Sequence, residues 1–254
     1  MAGLEIISDG PEGCFVVLID GREQSYVDLS DPTRLVFDYV RRIGDVLDSV
    51  APPGQPIRVV HVGGAGLTVP RYVAATRPTS AQVVLEPDEA VTARVREDLP
   101  LPRRSGIKVR PVDGVTGIAE LRDDYADVVV VDAYEGGRVP PELLGADHFA
   151  EIDRVLSGDG HYVLNLADEA PFAVARDAIA GLREAFSTLM VSAEPATLRG
   201  RRPGNLLVTA GRGGVPLEEL RRRASTSPSP YQVLDDRKVS DSFGGGRSTP
   251  RGAA

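Results

Sequence analysis

Cysteine and histidine are scarce in this sequence, and their scarcity excludes several kinds of site. Cys14 is the only cysteine, so the chain can form neither an intrachain disulfide nor a thiolate metal cluster. The three histidines, His61, His148 and His161, lie far apart, unlike the closely spaced ligands of most zinc sites. We therefore expect no metal site in this protein.

Long apolar runs and an excess of basic residues are also missing. No apolar run approaches the roughly 20 residues that a membrane-spanning helix needs. Residues 1–10 lack the basic segment and following apolar segment of a secretory signal. The chain has 29 basic and 37 acidic residues, and this net charge of −8 argues against a general nucleic-acid-binding protein. We expect a soluble, cytoplasmic protein with neither a membrane nor a nucleic acid as partner.

The sequence contains enough apolar residues for a sizeable core. Its 254 residues, 42% of them hydrophobic, suit one large domain or one domain with a small appendage. Changes in pattern divide it into three parts. Residues 1–52 read as a small N-terminal β unit plus a helix, residues 53–211 as an alternation of strands and helices, and residues 212–254 as a short helix with a largely disordered tail.

The N-terminal part begins with a hairpin pattern. A β-rich run over residues 14–19 stops at Asp20-Gly21, a strong hairpin signal, and a short strand over residues 24–27 follows. Ser30 or Asp31 then caps a helix whose apolar residues recur at helical spacing from residue 35 to residue 47.

Residues 53–211 alternate between apolar strands and helical stretches. Continuous apolar strands of this kind are typical of a parallel sheet covered on both faces. Strands are predicted at 57–62, 82–85, 107–109, 127–131 and 161–166, with helices at 68–76, 88–98, 116–122, 147–156 and 172–185. Two further strands, 188–193 and 205–210, have no obvious helix between them. We expect them to form an antiparallel hairpin at the sheet edge, so that the fold is a doubly wound α/β domain closed by a hairpin.

Ligands of such sheets bind beyond the carboxyl ends of the strands, near the switch in strand order. Gly63, Gly64, Ala65 and Gly66 follow the first of these strands, where glycines let the backbone approach a ligand closely; a packing role is the alternative. Glu86 ends the second strand and could bind both hydroxyls of a ribose, or it could simply begin the next helix.

Acidic residues also follow the third and fourth strands. Asp113, beside Gly114, could accept a hydrogen bond from an adenine amino group, and a solvated turn is the alternative. Asp132 follows a buried strand, so its pKa is expected to suit proton transfer, although it could instead stabilise the loop that contains Tyr134 and Glu135. Residues 136–141 form a loop that could cover a ligand. His61 lies inside a strand and is most simply a hydrogen-bonded core histidine.

Together these segments resemble the spermidine synthase family of aminopropyltransferases, which share the Rossmann-like fold of class I S-adenosylmethionine-dependent methyltransferases. The resemblance covers residues 20–210 and includes the small N-terminal β unit, which ordinary methyltransferases lack. It implies that the glycine turn and Glu86 bind the nucleoside and that Asp113 lies beside the adenine. It also implies that Gln24 reaches over the nucleoside. It also implies that Asp132 is the catalytic residue, with Tyr134 and Glu135 in the same loop.

The implied reaction moves an aminopropyl group from decarboxylated S-adenosylmethionine to a diamine or polyamine, with Asp132 as base. The resemblance implies no tightly bound cofactor, since the donor is a co-substrate, and a homodimer, for which the β unit and the first helix are interface candidates.

The sequence departs from the family pattern at three places. Ala65 stands where the family has an aspartate, and Glu135 is the nearest equivalent of a second loop acid. Leu35, Val36 and Phe37 occupy the neighbourhood of a tyrosine–histidine–glutamate cluster. Two alternatives therefore stay open: a methyltransferase that uses intact S-adenosylmethionine on a methyl acceptor, or a non-catalytic nucleoside-binding relative.

Overall fold

The N-terminal part of the chain forms a small antiparallel sheet. The computed structural model describes residues 3–249. Its first sheet has the order β1-β2-β3, with β1 at Leu4–Ser8, β2 at Cys14–Ile19 and β3 at Arg22–Asp28. Asp20 and Gly21 both adopt positive φ angles, 51° and 73°, between the two paired strands β2 and β3. This is the backbone conformation of a tight hairpin turn, as the sequence predicted.

The first helix, α1, spans Asp38–Val50 and so begins several residues later than predicted. The prediction that Ser30 or Asp31 caps this helix is wrong. The Asp28 carboxylate accepts hydrogen bonds from the backbone N–H groups of both residues, and Asp31 in turn accepts from the Thr33 N–H. These side-chain bonds hold the segment in turns, which compete with helix formation.

An eight-stranded sheet makes up most of the molecule. Its strands are β4 (Arg58–Val62), β5 (Ala81–Leu85), β6 (Ile107–Arg110), β7 (Ala126–Val131), β8 (Leu156–Asp168), β9 (Thr188–Ala193), β10 (Gly204–Gly211) and β11 (Gln232–Leu234). The helices after α1 are α2 (Thr68–Thr76), α3 (Glu89–Asp98), α4 (Gly114–Ala119), α5 (Ala146–Val155), α6 (Ala173–Ala185), α7 (Pro195–Leu198), α8 (Leu217–Thr226) and α9 (Asp236–Phe243). A single 3-10 turn spans Pro141–Leu144.

The strand order is β11-β9-β10-β8-β7-β4-β5-β6. The strands from β6 to β8 pair in parallel, whereas β10 pairs antiparallel with both β8 and β9. The expected Rossmann-like, doubly wound α/β fold with an antiparallel closure is therefore confirmed. One detail differs: the short helix α7 separates β9 from β10, and β11 rather than this pair forms the edge of the sheet.

The segment after residue 211, for which the sequence predicted a short helix and a largely disordered tail, forms regular elements as far as Phe243. Strand β11 extends the large sheet, helices α8 and α9 pack on it, and Val239 and Phe243 of α9 are almost completely buried. The Phe243 ring packs edge-on against Phe172, 5.5 Å between centroids. The apolar residues of this segment are too few to predict a hydrophobic core from the sequence. Their packing partners lie on the large sheet and on α6. The last five residues of the predicted tail, 250–254, lie outside the described part.

Apolar side chains cover both faces of the large sheet. One face packs against α5, α6 and α9, and the other packs against α1, α2 and α8. Helix α1, which the sequence pattern grouped with the N-terminal β unit, thus lies on the large sheet. The β unit itself packs beside α3 through a separate apolar cluster that includes Val17, Val27 and Val95. Within residues 3–249, no helix combines the length and apolar character that crossing a membrane requires.

Candidate functional site

A cavity of about 540 Å³ opens at the carboxyl ends of the parallel strands. Strand β4 lies between β5 and β7, so the strand order reverses there, which is where such sheets bind ligands. The volume lies within the range of small-molecule sites, roughly 300–1,000 Å³. The cavity is lined by ten of the predicted site residues: Gln24, Gly63, Gly64, Ala65, Glu86, Asp113, Gly114, Asp132, Tyr134 and Glu135.

The glycine turn after β4 approaches the loop after β7 very closely. Gly63 has a φ of 93°, and a Cβ atom there would collide with the backbone carbonyl of Asp132. Ala65, with a φ of 26°, also lies in the left-handed region, which is unusual for a residue with a side chain. The absence of a side chain at Gly63 therefore lets the glycine turn lie directly against the backbone of Asp132.

Gly66, the remaining predicted site residue, does not line the cavity. Its N–H donates a hydrogen bond of 3.0 Å to the Ser25 hydroxyl, and an added Cβ would lie 2.7 Å from Ser25 Cβ. Gly66 thus lets strand β3 pack onto the glycine turn, which corresponds to the packing role that the sequence left open.

Glu86 and Asp88 follow β5, and the structure separates their roles. Asp88 caps helix α3, since its carboxylate accepts from the N–H groups of Ala90 and Val91. Both residues line the cavity, and Glu86 accepts one N–H on each oxygen, from Gly64 at 2.9 Å and from Asp88 at 3.0 Å. Each oxygen keeps a lone pair, so the carboxylate is held in place and can still accept hydrogen bonds from a ligand.

Asp113 caps helix α4 and also lines the cavity. Its Oδ1 accepts from the Thr116 N–H at 2.9 Å, and this bond is the main cause that lowers the pKa of Asp113. The helix begins at Gly114, two residues earlier than predicted, and a Cβ at Gly114 would collide with Val62. Asp113 is exposed and ionised, which suits an acceptor of hydrogen bonds.

Asp132 differs from these acids because it is poorly solvated. Its Oδ1 accepts from Asn165 Nδ2 at 2.8 Å, and its backbone N–H donates to the Val62 carbonyl. Burial raises the pKa of Asp132 to about 6, although the Asn165 hydrogen bond lowers it in part. A carboxyl group with this pKa can exchange a proton near neutral pH.

A second, smaller cavity of about 50 Å³, which we call the inner cavity, adjoins the large one. The two share Gln24, the glycine turn, Asp132 and Tyr134 in their walls. The inner cavity is further lined by Tyr39 of α1, His61 of β4 and the first residues of α2. Asp132 therefore borders both the large cavity and the small one.

Comparisons with known proteins agree with this architecture. A crystal structure of a probable spermidine synthase from Corynebacterium glutamicum superposes with a TM-score of 0.90 at 25% identity, covering 99% of this chain and 94% of that one. A polyamine aminopropyltransferase from Chromobacterium violaceum is 27% identical over 144 residues, and one from Neisseria meningitidis is 28% identical over the same length. No protein-family model matches the chain.

The chain is thus similar to spermidine synthases and polyamine aminopropyltransferases in sequence and in fold. The alignment with the Chromobacterium relative covers 56% of this chain and 53% of the relative, so the chain matches about half the length of these curated proteins. Another spermidine synthase, in complex with the transition state analogue AdoDATO, superposes with a TM-score of 0.62 at 14% identity and shows the shared fold.

Tyr39 is a candidate site residue that the sequence did not reveal. The resemblance placed residues 35–37 in the neighbourhood of the family cluster, but α1 begins at Asp38, and Tyr39 in its first turn lines the inner cavity. Burial, and then the negative charge of Asp132, raises the pKa of Tyr39 well above its usual value. The phenol is therefore neutral and able to donate a hydrogen bond.

Asn165 and Asn205 were also missed. Asn205 Nδ2 donates to Asn165 Oδ1 at 3.0 Å, and Asn165 Nδ2 donates to Asp132. The Tyr134 hydroxyl donates to the Asn165 carbonyl at 3.1 Å, and burial raises the pKa of Tyr134, so this phenol stays neutral. The available signal was an asparagine inside the apolar run of β8, where an amide needs a buried partner.

Glu135 lies at the mouth of the large cavity, exposed to solvent. Its N–H and carbonyl exchange hydrogen bonds with Arg138, which closes the turn through Gly136 and Gly137. A Cβ at Gly137 would collide with the Arg22 guanidinium, so the hairpin of the N-terminal β unit meets this turn at the cavity mouth. Among residues 3–249, no group of three or more His, Cys, Asp or Glu side chains is arranged to hold a metal ion.

Proposed function

We propose that this protein transfers an aminopropyl group from decarboxylated S-adenosylmethionine to a primary amine. The observation that carries the proposal is the position of Asp132. Its side chain borders both the large cavity and the small inner cavity, and its pKa is about 6. Its relatives support it, since they are named polyamine aminopropyltransferase and spermidine synthase.

The donor occupies the large cavity in this proposal. Glu86 accepts the two ribose hydroxyls, because its oxygens are already oriented by the backbone of Gly64 and Asp88. Asp113 accepts from the adenine amino group, and Gln24 closes the cavity from the N-terminal β unit. The structural neighbour bound to AdoDATO supports a donor of this type for the fold.

The acceptor occupies the inner cavity. Its ammonium gives one proton to the Asp132 carboxylate, and the nitrogen lone pair then forms the new N–C bond while the C–S bond of the sulfonium breaks. The electron pair of that bond stays on sulfur, so methylthioadenosine leaves neutral and the product nitrogen carries the positive charge. Because a sulfonium is already a good leaving group, the protein has to align the reactants and remove one proton.

The test is the formation of methylthioadenosine by the purified full chain, given decarboxylated S-adenosylmethionine and a panel of putrescine, cadaverine and spermidine. We expect turnover with at least one amine and a loss of about 10²-fold or more in kcat for Asp132→Asn, with donor affinity unchanged. Arg237→Ala, an exposed change on α9, serves as the control. No methylthioadenosine at high enzyme concentration with any amine contradicts the proposal.

A second candidate, methyl transfer from intact S-adenosylmethionine, is favoured by Ala65. This residue lines the cavity where the family carries an acid, so the chain lacks a negative charge that would repel the donor's carboxylate. Calorimetric titration with the two donors distinguishes the candidates. Tighter binding of the decarboxylated donor supports aminopropyl transfer, and tighter binding of the carboxylated donor supports methyl transfer.

A further inference from the structure

A row of polar side chains crosses the large sheet beneath the inner cavity. In the parallel register His61 of β4 is paired with Val130 of β7, and Asp132 lies two residues beyond Val130. Side chains two residues apart share a face of a strand, so His61 and Asp132 project from the same face of the sheet. Both line the inner cavity.

The Asp132 side of this row ends in a hydrogen-bond acceptor. Asn205 donates to Asn165, and Asn165 donates to Asp132 Oδ1. Asp132 Oδ2 makes no hydrogen bond within residues 3–249. The carboxylate is thus fixed on one oxygen, and the other oxygen can accept a bond from the cavity.

The His61 side of the row also ends in an acceptor. Gln82 Nε2 donates to the Pro70 carbonyl at 3.0 Å, and because a carbonyl only accepts, the amide orientation is determined. Gln82 Oε1 therefore faces His61 Nε2 at 2.9 Å, and this ring nitrogen must carry the hydrogen. Nδ1 then holds the lone pair in the neutral ring, and no partner for it is found among the residues that the structure describes.

The ring is neutral because His61 is buried at 2% exposure, and burial lowers its pKa to about 4. The other titratable side chains that line the inner cavity are Tyr39 from α1, and Asp132 and Tyr134 from the segment after β7. Helix α2 contributes only uncharged residues to the wall. The charge of Arg42, also on α1, is directed to the backbone carbonyls of Ser192 and Asn205.

We propose that His61 Nδ1 and Asp132 Oδ2 together hold the attacking nitrogen of the acceptor. Both side chains line a cavity of about 50 Å³, which exceeds the roughly 10–15 Å³ that a single water needs. A group between them must donate at least two hydrogen bonds. An amino group does so, whereas a hydroxyl has a single O–H and leaves one acceptor without a partner.

This inference rests on the proposed aminopropyl transfer to nitrogen. It assigns to His61 the selection of an amine as the acceptor. The bound ammonium places one N–H on His61 Nδ1 and passes another proton to Asp132. After this proton transfer, the bond to His61 still orients the amine, so that its lone pair is free to attack the donor carbon. His61 is a substrate-binding residue in this scheme, and Gln82 is a positioning residue that fixes its tautomer.

A binding experiment tests the site without turnover. The full chain, labelled with ¹⁵N in its histidines, is titrated at pH 8 with methylammonium chloride, and the spectrum of His61→Val identifies the His61 signals. Tetramethylammonium chloride, which has no N–H, is the control at equal ionic strength. We expect Nδ1 to begin as the unprotonated nitrogen and to shift upfield with methylammonium alone. An unchanged Nδ1 signal, an equal shift with both salts or an initially protonated Nδ1 would overturn the proposal.

Steady-state kinetics provide the second test. We expect His61→Val to raise the KM for putrescine about tenfold and to leave the affinity for methylthioadenosine unchanged. The single variant leaves Gln82 Oε1 without its partner and could therefore be unstable. In that case the double variant His61→Val/Gln82→Leu, which also removes the amide, is measured instead. His148→Leu is the matched control, because His148 is equally buried with a pKa of about 4 but does not line the cavity.

An unchanged KM in both His61 variants would overturn the inference. If the wild-type chain forms no methylthioadenosine with any amine, the proposed function fails, and the methylammonium titration still decides the role of His61.

Discussion

Among the carboxylates that line the large cavity, Glu86, Asp113 and Asp132 have different partners, which give them different properties. Glu86 is oriented by two backbone N–H groups, and Asp113 by the N-terminus of α4, which lowers its pKa. Asp132 has a single amide donor and little contact with water, so its pKa is raised to about 6. The first two are suited to binding a neutral or cationic ligand, and Asp132 is suited to exchanging a proton.

The raised pKa of Asp132 predicts an unusual pH dependence of stability. The folded state binds the proton more tightly than the unfolded state, whose Asp pKa is about 3.9. The stabilisation by the protonated carboxyl is therefore complete below about pH 4 and is lost as pH rises through 6. Asp132→Asn should raise the free energy of unfolding by about 2 kcal/mol at pH 8 and leave it nearly unchanged at pH 4.

Urea unfolding at the two pH values measures this difference. Asp113→Asn is the control with the opposite sign, because the pKa of Asp113 is lowered and its ionised form stabilises the fold at higher pH. An equal effect of Asp132→Asn at pH 4 and pH 8 would show that its carboxyl has an ordinary pKa.

Turns and helix ends determine how the elements meet at the site. The glycine turn after β4 contacts the loop after β7 because Gly63 has no side chain. Helix α1 places Tyr39 in the wall of the inner cavity because it starts at Asp38. The glycines were visible in the sequence. The start of α1 was not, because local hydrogen bonds to Asp28 replaced the expected cap.

Substitution at the glycine turn should separate a steric effect from a conformational one. Gly63→Ala is expected to destabilise the protein by about 3 kcal/mol or more, since it combines a positive φ with a backbone collision. Gly136→Ala is the control, with a φ of 58° and open space around the new Cβ, and should cost about 1 kcal/mol. Thermal unfolding compares them, and equal losses would show that the collision is relieved by a small shift of the loop.

Helix α9 gives a test of the ordered C-terminal segment. Phe243→Ala should lower the free energy of unfolding by about 3–5 kcal/mol, because the ring is buried against Phe172. Arg237→Ala, exposed on the same helix, should change it by less than about 0.5 kcal/mol. Similar small effects for both variants would mean that α9 does not pack on the sheet in solution.

At the scale of the whole molecule, the site is formed by two sheets. The large sheet contributes the glycine turn and the acids, and the N-terminal β unit contributes Gln24 and the hairpin that meets the turn at Gly137. Helix α1 packs on the large sheet along much of its length, which reduces its value as a dimer interface. The homodimer stays a prediction, which sedimentation equilibrium can test.

Ligand binding should therefore protect both parts at once. We expect methylthioadenosine to slow amide hydrogen exchange in the hairpin at residues 19–25 and in the loop at residues 132–138, since both border the large cavity. Strand β11, which is far along the sheet from β4, is the internal control. Protection confined to the large sheet would argue against the participation of the β unit in nucleoside binding.

The sequence by itself determined the fold class and the positions of the acids and glycines at the strand ends. Strand and helix periodicity is local, and the carboxyl ends of parallel strands necessarily share one edge. Only the tertiary structure decided which side chains complete the inner cavity. Tyr39 and His61, which line this cavity, and Asn165, which donates to Asp132, come from distant parts of the chain, and their roles depend on burial and on hydrogen-bond partners such as Gln82. A pKa or a tautomer is set by these surroundings, which no local pattern contains.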